Sequence, residues 1–210
     1  MNWYRTYQKL ACRKRVRDGL LFIPDISGFT ELVRSTDLET GRAITHALLS
    51  AILNKNRIGL RLAEIEGDAI LFYRYGKAPS TSDLMQQYKQ MLAAFEDMRS
   101  SLEMQYQITL PVSLKVVAHY GPLAEYWIGH FRKLYGEAVI EAHRLLKNSI
   151  GCDSYLLMTE VLSAHAARKQ STVDLLRETT HTLCEVYGSL RKICFTYYPS
   201  DVPGSVLRVA

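Results

Sequence analysis

Two acidic residues stand at turns where a carboxylate can take part in chemistry. Asp25 follows the apolar run Leu20–Ile23 and precedes the small residues Ser27 and Gly28, after which a helical pattern begins. Asp68 lies between two strand-like runs. A carboxylate at the end of a buried strand can hold a hard cation, while the amides of a helix N-terminus can face an anion. The stretch therefore indicates a site for a metal and a phosphate, although a turn in which Asp25 only caps the helix is the simpler alternative.

The composition is that of an ordinary globular protein. The chain has 210 residues, of which 48% are hydrophobic and 22% charged, with a net charge of +5. No apolar run is long enough to cross a bilayer, and the N-terminus lacks the apolar segment of a signal peptide. We therefore expect a cytoplasmic protein that binds no nucleic acid. The basic residues before Asp18 could contact an acidic surface, but we expect a solvated lead-in helix there.

The cysteines show no spacing typical of a metal site. None of them forms a CxxC pair or a Cys/His ligand set, which argues against a zinc site and against a disulfide framework. We expect all four to be reduced and mostly buried: Cys12, Cys152, Cys184 and Cys194.

Hydrophobic periodicity predicts the element order β-α-α-β-β-α-β-β-α-β, followed by a closing helix and hairpin. This order indicates an α+β fold in which an antiparallel sheet carries its helices on one face. We expect a basic lead-in over residues 1–18, one domain over 19–198 and a tail over 199–210. The predicted helices are 29–34, 36–54, 82–106, 137–148, 159–167 and 173–177, and the predicted strands are 20–23, 60–65, 70–73, 111–120, 124–130, 154–158, 183–187 and 192–197.

Several common signatures are missing from the sequence. There is no GxxxxGK[ST], GxGxxG, HExxH or GxSxG motif, which excludes the usual nucleotide-binding and hydrolase folds. If the first strand and the hairpin at residues 60–73 are neighbours in the sheet, Asp25 and Asp68 can converge on one divalent cation.

Four segments, in order, resemble the motifs of class III nucleotide cyclases: PDISGFT, EGDAILFY, VVAHYGP and YGEAVIEAHRLLKNS, which together span about 19–160. Within that superfamily the chain resembles a bacterial group of proteins of unknown function, DUF2652, through PDISGF, EIEGDAILFY and AHRLLKN. The resemblance implies a ferredoxin-like, palm-type core with its closing segment at 161–198. It also implies a head-to-tail homodimer with two composite sites at the interface.

The resemblance assigns roles to the residues around the first strand. It implies that Asp25 and Asp68 bind two Mg²⁺ or Mn²⁺ ions, with the carbonyl of Ile26 as a further ligand. One ion would lower the pKa of a ribose 3′-hydroxyl, and the other would neutralise the pyrophosphate that leaves. The triphosphate would lie against the amides of four residues, Ser27, Gly28, Phe29 and Thr30.

Other positions depart from the cyclase pattern. The residue three before Gly67 selects the base in this superfamily, and Glu64 there favours guanine, but Lys133 at the second base position fits neither purine pattern. Ile140 replaces the asparagine that orients the ribose, whereas Arg144 keeps the arginine of the transition state. Losing one positioned polar contact costs on the order of 10²-fold in rate.

These residues also have structural interpretations. Glu64 and Lys133 could form an ion pair across the dimer interface, and Arg144 could form an exposed ion pair on a helix whose Val139, Ala142 and Leu146 pack inward. Two histidines, His119 and His143, are expected to satisfy hydrogen bonds and not to act as general bases.

Three functions are consistent with this pattern. The first is a metal-dependent nucleotide cyclase that releases pyrophosphate and has an atypical base and ribose site. The second is an inactive cyclase-fold dimer that binds a nucleotide, another ligand or a partner protein. The third, less favoured, is a phosphohydrolase that uses the same metal corner.

Overall fold

A computed structural model of the chain describes residues 16–166, 181–186 and 191–200. The strands are β1 (Arg17–Ser27), β2 (Arg61–Glu66), β3 (Ala69–Tyr75), β4 (Ser113–Ile128), β5 (Phe131–Tyr135), β6 (Tyr155–Thr159), β7 (His181–Val186) and β8 (Lys192–Pro199). The helices are α1 (Phe29–Ser35), α2 (Leu38–Leu53), α3 (Thr81–Tyr106), α4 (Glu137–Leu145) and α5 (Glu160–Ala166).

The strands form one mostly antiparallel sheet in the order β2-β3-β1-β4-β6-β8-β7, and β5 pairs with the far half of β4. Only the β4–β6 pair among the described ladders is parallel. The predicted α+β class and palm-type element order are confirmed. β1 and β3 are neighbours in the sheet, which is the condition under which Asp25 and Asp68 can lie close together.

The helices cover both faces of the sheet, so the expectation that they lie on one face is wrong. Side chains of β1 alternate, because successive residues of a strand point to opposite faces. Phe22 and Ile26 face the core formed with α1, α2 and α3, whereas Leu21 and Ile23 pack with Ala142 of α4 on the other face. Both faces of β1 are apolar, which is why the run Leu20–Ile23 shows no polar alternation.

A second difference concerns β4, which was predicted to stop at Gly121. The strand continues to Ile128, because its first half pairs with β1 and its second half pairs with β5. Glycine is required at 121 by a close approach of α4 and not by a turn, since an added Cβ would lie 2.8 Å from the Cβ of Ala138. The short strand β5 lies within a segment that was predicted to be partly loop.

Helix ends are set by local side-chain hydrogen bonds. At the start of α2, Asp37 is the N-cap and accepts hydrogen bonds from the amides of Glu39 and Thr40, both at 3.0 Å. At the start of α3, Ser80 and Asp83 form a reciprocal capping box. A cap of this type contributes about 1 kcal/mol to helix stability.

The closing hairpin contains a disulfide, so the expectation that all cysteines are reduced is wrong. Cys184 and Cys194 stand directly opposite each other on β7 and β8 and are bonded. Spacing rules do not reveal such a pair, because its proximity is created by strand register. Cys152 is free, and Cys12 lies outside the described residues.

Some of the predicted elements fall on residues that the structure does not describe. The lead-in helix before residue 16, the helix at 173–177 and the turn at 188–189 lie outside the described residues, and the proposed domain limits stay a prediction. Across the described ranges, no helix combines the length and apolar character needed to span a membrane.

The turn from β1 into α1 depends on Gly28. Its φ of 82° lies in the left-handed region, and an added Cβ would lie 2.2 Å from the carbonyl oxygen of Pro111. The backbone of the following helix therefore starts at a point where both the dihedral angle and the available space require glycine.

Replacing Gly28 with alanine is expected to lower the free energy of unfolding by at least about 2 kcal/mol, because strain and a backbone clash add together. Gly76→Ala is the matched control: Gly76 also has a positive φ, of 91°, but nothing lies within 4 Å of its added Cβ. Urea denaturation should give a loss of only about 1 kcal/mol for the control. Equal losses would show that Pro111 moves away without cost.

Candidate functional site

The first predicted acid forms an ion pair inside the sheet. Asp25 on β1 and Lys115 on β4 are directly paired in the antiparallel ladder, and Lys115 Nζ lies 3.0 Å from Asp25 Oδ2. Both side chains are mostly buried, with exposed fractions of 14% and 19%. The same ammonium donates a hydrogen bond of 3.1 Å to the carbonyl oxygen of Leu146, at the end of α4.

The second acid lies beside the first. Asp68 is the second of the two turn residues between β2 and β3. Its carbonyl oxygen accepts a hydrogen bond from the amide of Ile26 at 3.3 Å, and the next residue, Ala69, pairs with Asp25. Burial raises the pKa of the Asp68 carboxyl, and the charge of Asp25 raises this pKa further, while Lys115 opposes the shift. Two carboxylates and one ammonium therefore share one corner of the sheet.

The charges at this corner determine how a metal could fit. In the described parts of the chain, no three His, Cys, Asp or Glu side chains are grouped to hold a metal ion. Asp25 and Asp68 supply two oxygen-donor side chains whose mutual repulsion a hard cation would relieve. Because Lys115 already contacts Asp25, the residues present fit one divalent cation more readily than two. The ligand role of the Ile26 carbonyl stays a prediction.

The predicted phosphate-binding residues lie at the adjoining turn. Gly28 is the N-cap of α1 and has no side-chain capping bond, and its carbonyl accepts hydrogen bonds from the amides of Glu31 and Leu32. Ser27 ends β1 next to Asp25, and Phe29 begins α1. The roles of all four predicted residues, Ser27, Gly28, Phe29 and Thr30, remain predictions.

The two residues predicted to select the base contact each other within one chain. Lys133 on β5 forms an ion pair with Glu64 on β2, so the suggested pairing of these residues across a dimer interface is not needed. The hydrogen bond to Glu64 raises the pKa of the Lys133 ammonium. The strands meet because β5 folds back towards β2, where Arg132 donates to the carbonyl of Leu62 at 3.1 Å.

The residues predicted to contact the ribose and the transition state, Ile140 and Arg144, lie on the outer surface of α4. Ile140 is 54% exposed, and Arg144 is also exposed. Val139, Ala142 and Leu146 pack inward, as predicted. The isoleucine side chain cannot form a hydrogen bond with a ribose.

A buried polar network, which the sequence did not reveal, lies under α4. Glu141 Oε2 is 2.9 Å from His119 Nε2, and His119 Nδ1 is 3.0 Å from Thr159 Oγ1. The contacts with His119 and Arg191 lower the pKa of Glu141 to about 2, although burial opposes this shift. Each ring nitrogen of His119 thus has a polar side-chain atom within 3.0 Å, and His143 lies half-buried on the same helix as Glu141.

Lys115 and Glu141 are the site residues that sequence reasoning missed. Strand alternation was a usable signal for Lys115, because it falls on the same face of β4 as His119. Glu141 interrupts the apolar side of α4, and a charged residue at such a position needs a buried partner.

Solved structures identify the class of fold. The chain is similar to the guanylyl cyclase Cya2, with a TM-score of 0.68 and 14% identity, over 92% of this chain and 98% of that one. It is also similar to the adenylyl cyclase CyaB from P. aeruginosa, with a TM-score of 0.61 and 16% identity, over 90% and 97% of the two chains. The fold is that of class III cyclase domains.

Sequence comparisons identify the family. Residues 45–155 match the family described as "Protein of unknown function (DUF2652)". The chain is also 32% identical over 167 residues to "Uncharacterized protein Rv2561/Rv2562" of Mycobacterium tuberculosis, which covers 76% of each protein. The chain belongs to the DUF2652 family, as its motifs predicted.

The pKa of Asp68 leads to a test by substitution. Because the folded-state pKa of Asp68 is raised, folding is favoured below the unfolded pKa and becomes less favourable as pH rises through the folded pKa. Asp68→Asn is therefore expected to be more stable than the native chain at pH 7, by up to about 1 kcal/mol, and equal to it near pH 3.

Urea denaturation at the two pH values measures this difference. Asp97→Asn, which replaces an exposed acid on α3, is the control and should show no pH-dependent gain. A gain in both variants, or a loss of stability for Asp68→Asn at pH 7, would contradict the assigned electrostatics.

Proposed function

We propose that this protein is a metal-dependent nucleotide cyclase with an atypical base and ribose site. The observation that carries the proposal is the meeting of Asp25 and Asp68 at one corner, next to the Gly28 turn. A structural role does not require two acids at these two turns, and their repulsion is costly in a protein that binds no cation. The class III cyclase fold supports the same function.

The reaction would convert a nucleoside triphosphate into a 3′,5′-cyclic nucleotide and pyrophosphate. The ribose 3′-oxygen bonds to the α-phosphorus, the bond from that phosphorus to the pyrophosphate oxygen breaks, and the hydroxyl proton passes to solvent. When bound, Mg²⁺ or Mn²⁺ would supply positive charge to the 3′-oxygen and the phosphates. Asp25 and Asp68 would hold the cation, the turn Ser27–Thr30 would bind phosphate, and Arg144 would stabilise the transition state.

We place this reaction in the cytoplasm, where nucleoside triphosphates and Mg²⁺ are available. Lys115 balances one negative charge of the corner while no cation is bound. The same contact holds the Asp25 side chain in one place at the corner.

Turnover is tested with each of the four ribonucleoside triphosphates and Mn²⁺, with cyclic products and pyrophosphate measured by mass spectrometry. We expect slow formation of one cyclic nucleotide. Asp25→Asn should reduce it by at least about 10²-fold, since a charged group that acts in the transition state is lost. Asp97→Asn, on the exposed side of α3, should leave turnover unchanged. Full activity of Asp25→Asn would rule out the proposed metal site.

A second function, nucleotide binding without turnover, is favoured by the residues predicted to contact the base and the ribose. Glu64 and Lys133 are engaged with each other, and Ile140 is exposed where a ribose contact is expected. If no triphosphate is consumed, a rise in melting temperature that requires both Mn²⁺ and nucleotide identifies the binding module. No rise with any nucleotide would exclude both functions.

We also propose that the protein forms the head-to-tail homodimer implied by its resemblance. The support is an apolar surface on the hairpin β4–β5, where large side chains are exposed together. Four members lie on one face of the hairpin, Tyr126, Ile128, Phe131 and Tyr135, with Phe131 75% exposed, and Trp127 is exposed on the opposite face. A second copy would cover this surface and complete each composite site.

Sedimentation velocity tests the dimer. Phe131→Glu is expected to weaken self-association by at least about 10-fold, because a charge is placed in an apolar contact. Met104→Glu is the matched control, since Met104 is equally exposed but lies on α3. A native chain that stays monomeric with Mn²⁺ and nucleotide present would contradict the dimer.

A further inference from the structure

The closing hairpin β7–β8 contacts α4 through a buried carboxylate. Arg191, which directly precedes β8, forms two hydrogen bonds to Glu141, of 2.7 Å from Nε and 3.0 Å from Nη2. The Glu141 side chain is only 1% exposed, whereas that of Arg191 is 57% exposed. A buried carboxylate held from the surface by one arginine depends on that arginine for much of its charge compensation.

A second contact holds the chain just beyond α4. Glu185 on β7 accepts hydrogen bonds from the amide of Ser149, at 3.0 Å, and from its hydroxyl. The hairpin therefore holds both the middle of α4, through Glu141, and the segment that follows its end. On the inner side, His119 holds the same carboxylate.

The hairpin itself is closed by a covalent bond. β7 stands at the end of the sheet and pairs only with β8 among the described strands. The disulfide between Cys184 and Cys194 joins the two strands in the middle of their ladder, and Cys184 is exposed. In a reducing compartment, a disulfide that persists is typically catalytic or redox-sensing.

We propose that Glu141 is a positioning residue for Arg144, and that the disulfide-closed hairpin holds it in place, so that ligand affinity depends on the redox state of Cys184 and Cys194. Arg144 lies three residues after Glu141 on the same short helix. A shift of Glu141 therefore moves Arg144 directly. The inference rests on the proposed function, because it assumes that Arg144 contacts a nucleotide.

The chemical step is a thiol–disulfide exchange with a dithiol reductant. One thiolate of the reductant attacks a sulfur of the Cys184–Cys194 bond, and the mixed disulfide is then resolved by the second thiol. Two electrons and two protons pass to the protein, which gains two thiols, and the reductant leaves as a cyclic disulfide. After reduction, β7 is held to β8 by its ladder, the Thr182–Thr196 hydrogen bond and the stacking of His181 on Tyr197, the last two of which lie on the side of the former disulfide away from Arg191. At the Arg191 end of the hairpin the Glu185–Ser149 contact is therefore weakened, and Arg191 is less constrained.

Hydrogen–deuterium exchange on the full chain tests whether the disulfide-closed hairpin holds α4, and it needs no ligand. After dithiothreitol treatment, peptides covering residues 137–149 are expected to exchange at least about 10-fold faster, while peptides of α3 stay unchanged. The double variant Cys184→Ser/Cys194→Ser should exchange fast with and without reductant. Unchanged exchange in a chain whose disulfide is verifiably reduced would overturn the proposal.

Variants of the surface arginine separate positioning from general destabilisation. Arg191→Gln is expected to accelerate exchange of α4 in the oxidised protein, and Arg191→Lys should restore part of the protection, because its charge is kept but its two-bond geometry is lost. Lys192→Gln, next in the chain, removes a charge of the same sign and should change nothing in α4. Equal effects of the Arg191→Gln and Lys192→Gln variants would overturn the role of the Arg191–Glu141 contact.

Calorimetry with Mn–ATP and Mn–GTP tests the link to Arg144. Reduction should weaken binding by roughly 3- to 30-fold in the native chain, with no further change in the double serine variant. Equal affinity in both redox states would overturn the link. If neither nucleotide binds in either state, the proposed function fails, while the exchange data still decide whether the hairpin holds α4.

Discussion

The ion pair between Asp25 and Lys115 is the interaction on which the candidate site depends. It joins the two central strands, β1 and β4, at directly paired residues. Taking both charges out of water costs several kcal/mol per ion, so the pair itself adds little stability. Removing either partner would leave the other buried and unpaired, which is far more costly. The pair therefore fixes which residues of β1 and β4 face each other and where Asp25 points.

The ammonium of Lys115 also connects the two acids to α4. Lys115 donates to the carbonyl of Leu146, where the helix has ended and its carbonyls lack intrahelical partners. One side chain thus links Asp25 to the helix that carries Arg144. At the other end of the site, Glu64 and Lys133, the two residues predicted to select the base, form an ion pair with each other. A ligand that used these two groups would have to replace a contact they already make.

The sequence predicted the fold well where the signal is local or repeated. The two acidic turns, the hairpin at Asp68 and the long helix α3 follow from turn chemistry, capping and periodicity. Long-range pairing was harder to predict. The sequence predicted a break in β4 at Gly121 because glycine usually marks a turn, whereas in the structure Gly121 makes room for Ala138 of α4. The Cys184–Cys194 bond was missed for the same reason, since register and not spacing brings the sulfurs together.

The packing of α4 explains why so many polar contacts converge on it. The helix approaches the sheet closely at two small residues, Ala138 and Ala142, where Gly121 is required, and it also packs through Val139, Leu145 and Leu146. Apolar contacts have no direction, so they fix the rotation and position of a helix less sharply than hydrogen bonds do. Directional contacts remove that freedom: His119 and Arg191 fix Glu141 from two sides. Their energetic value lies less in stability than in fixing one position of the helix, and hence of Arg144, relative to Asp25.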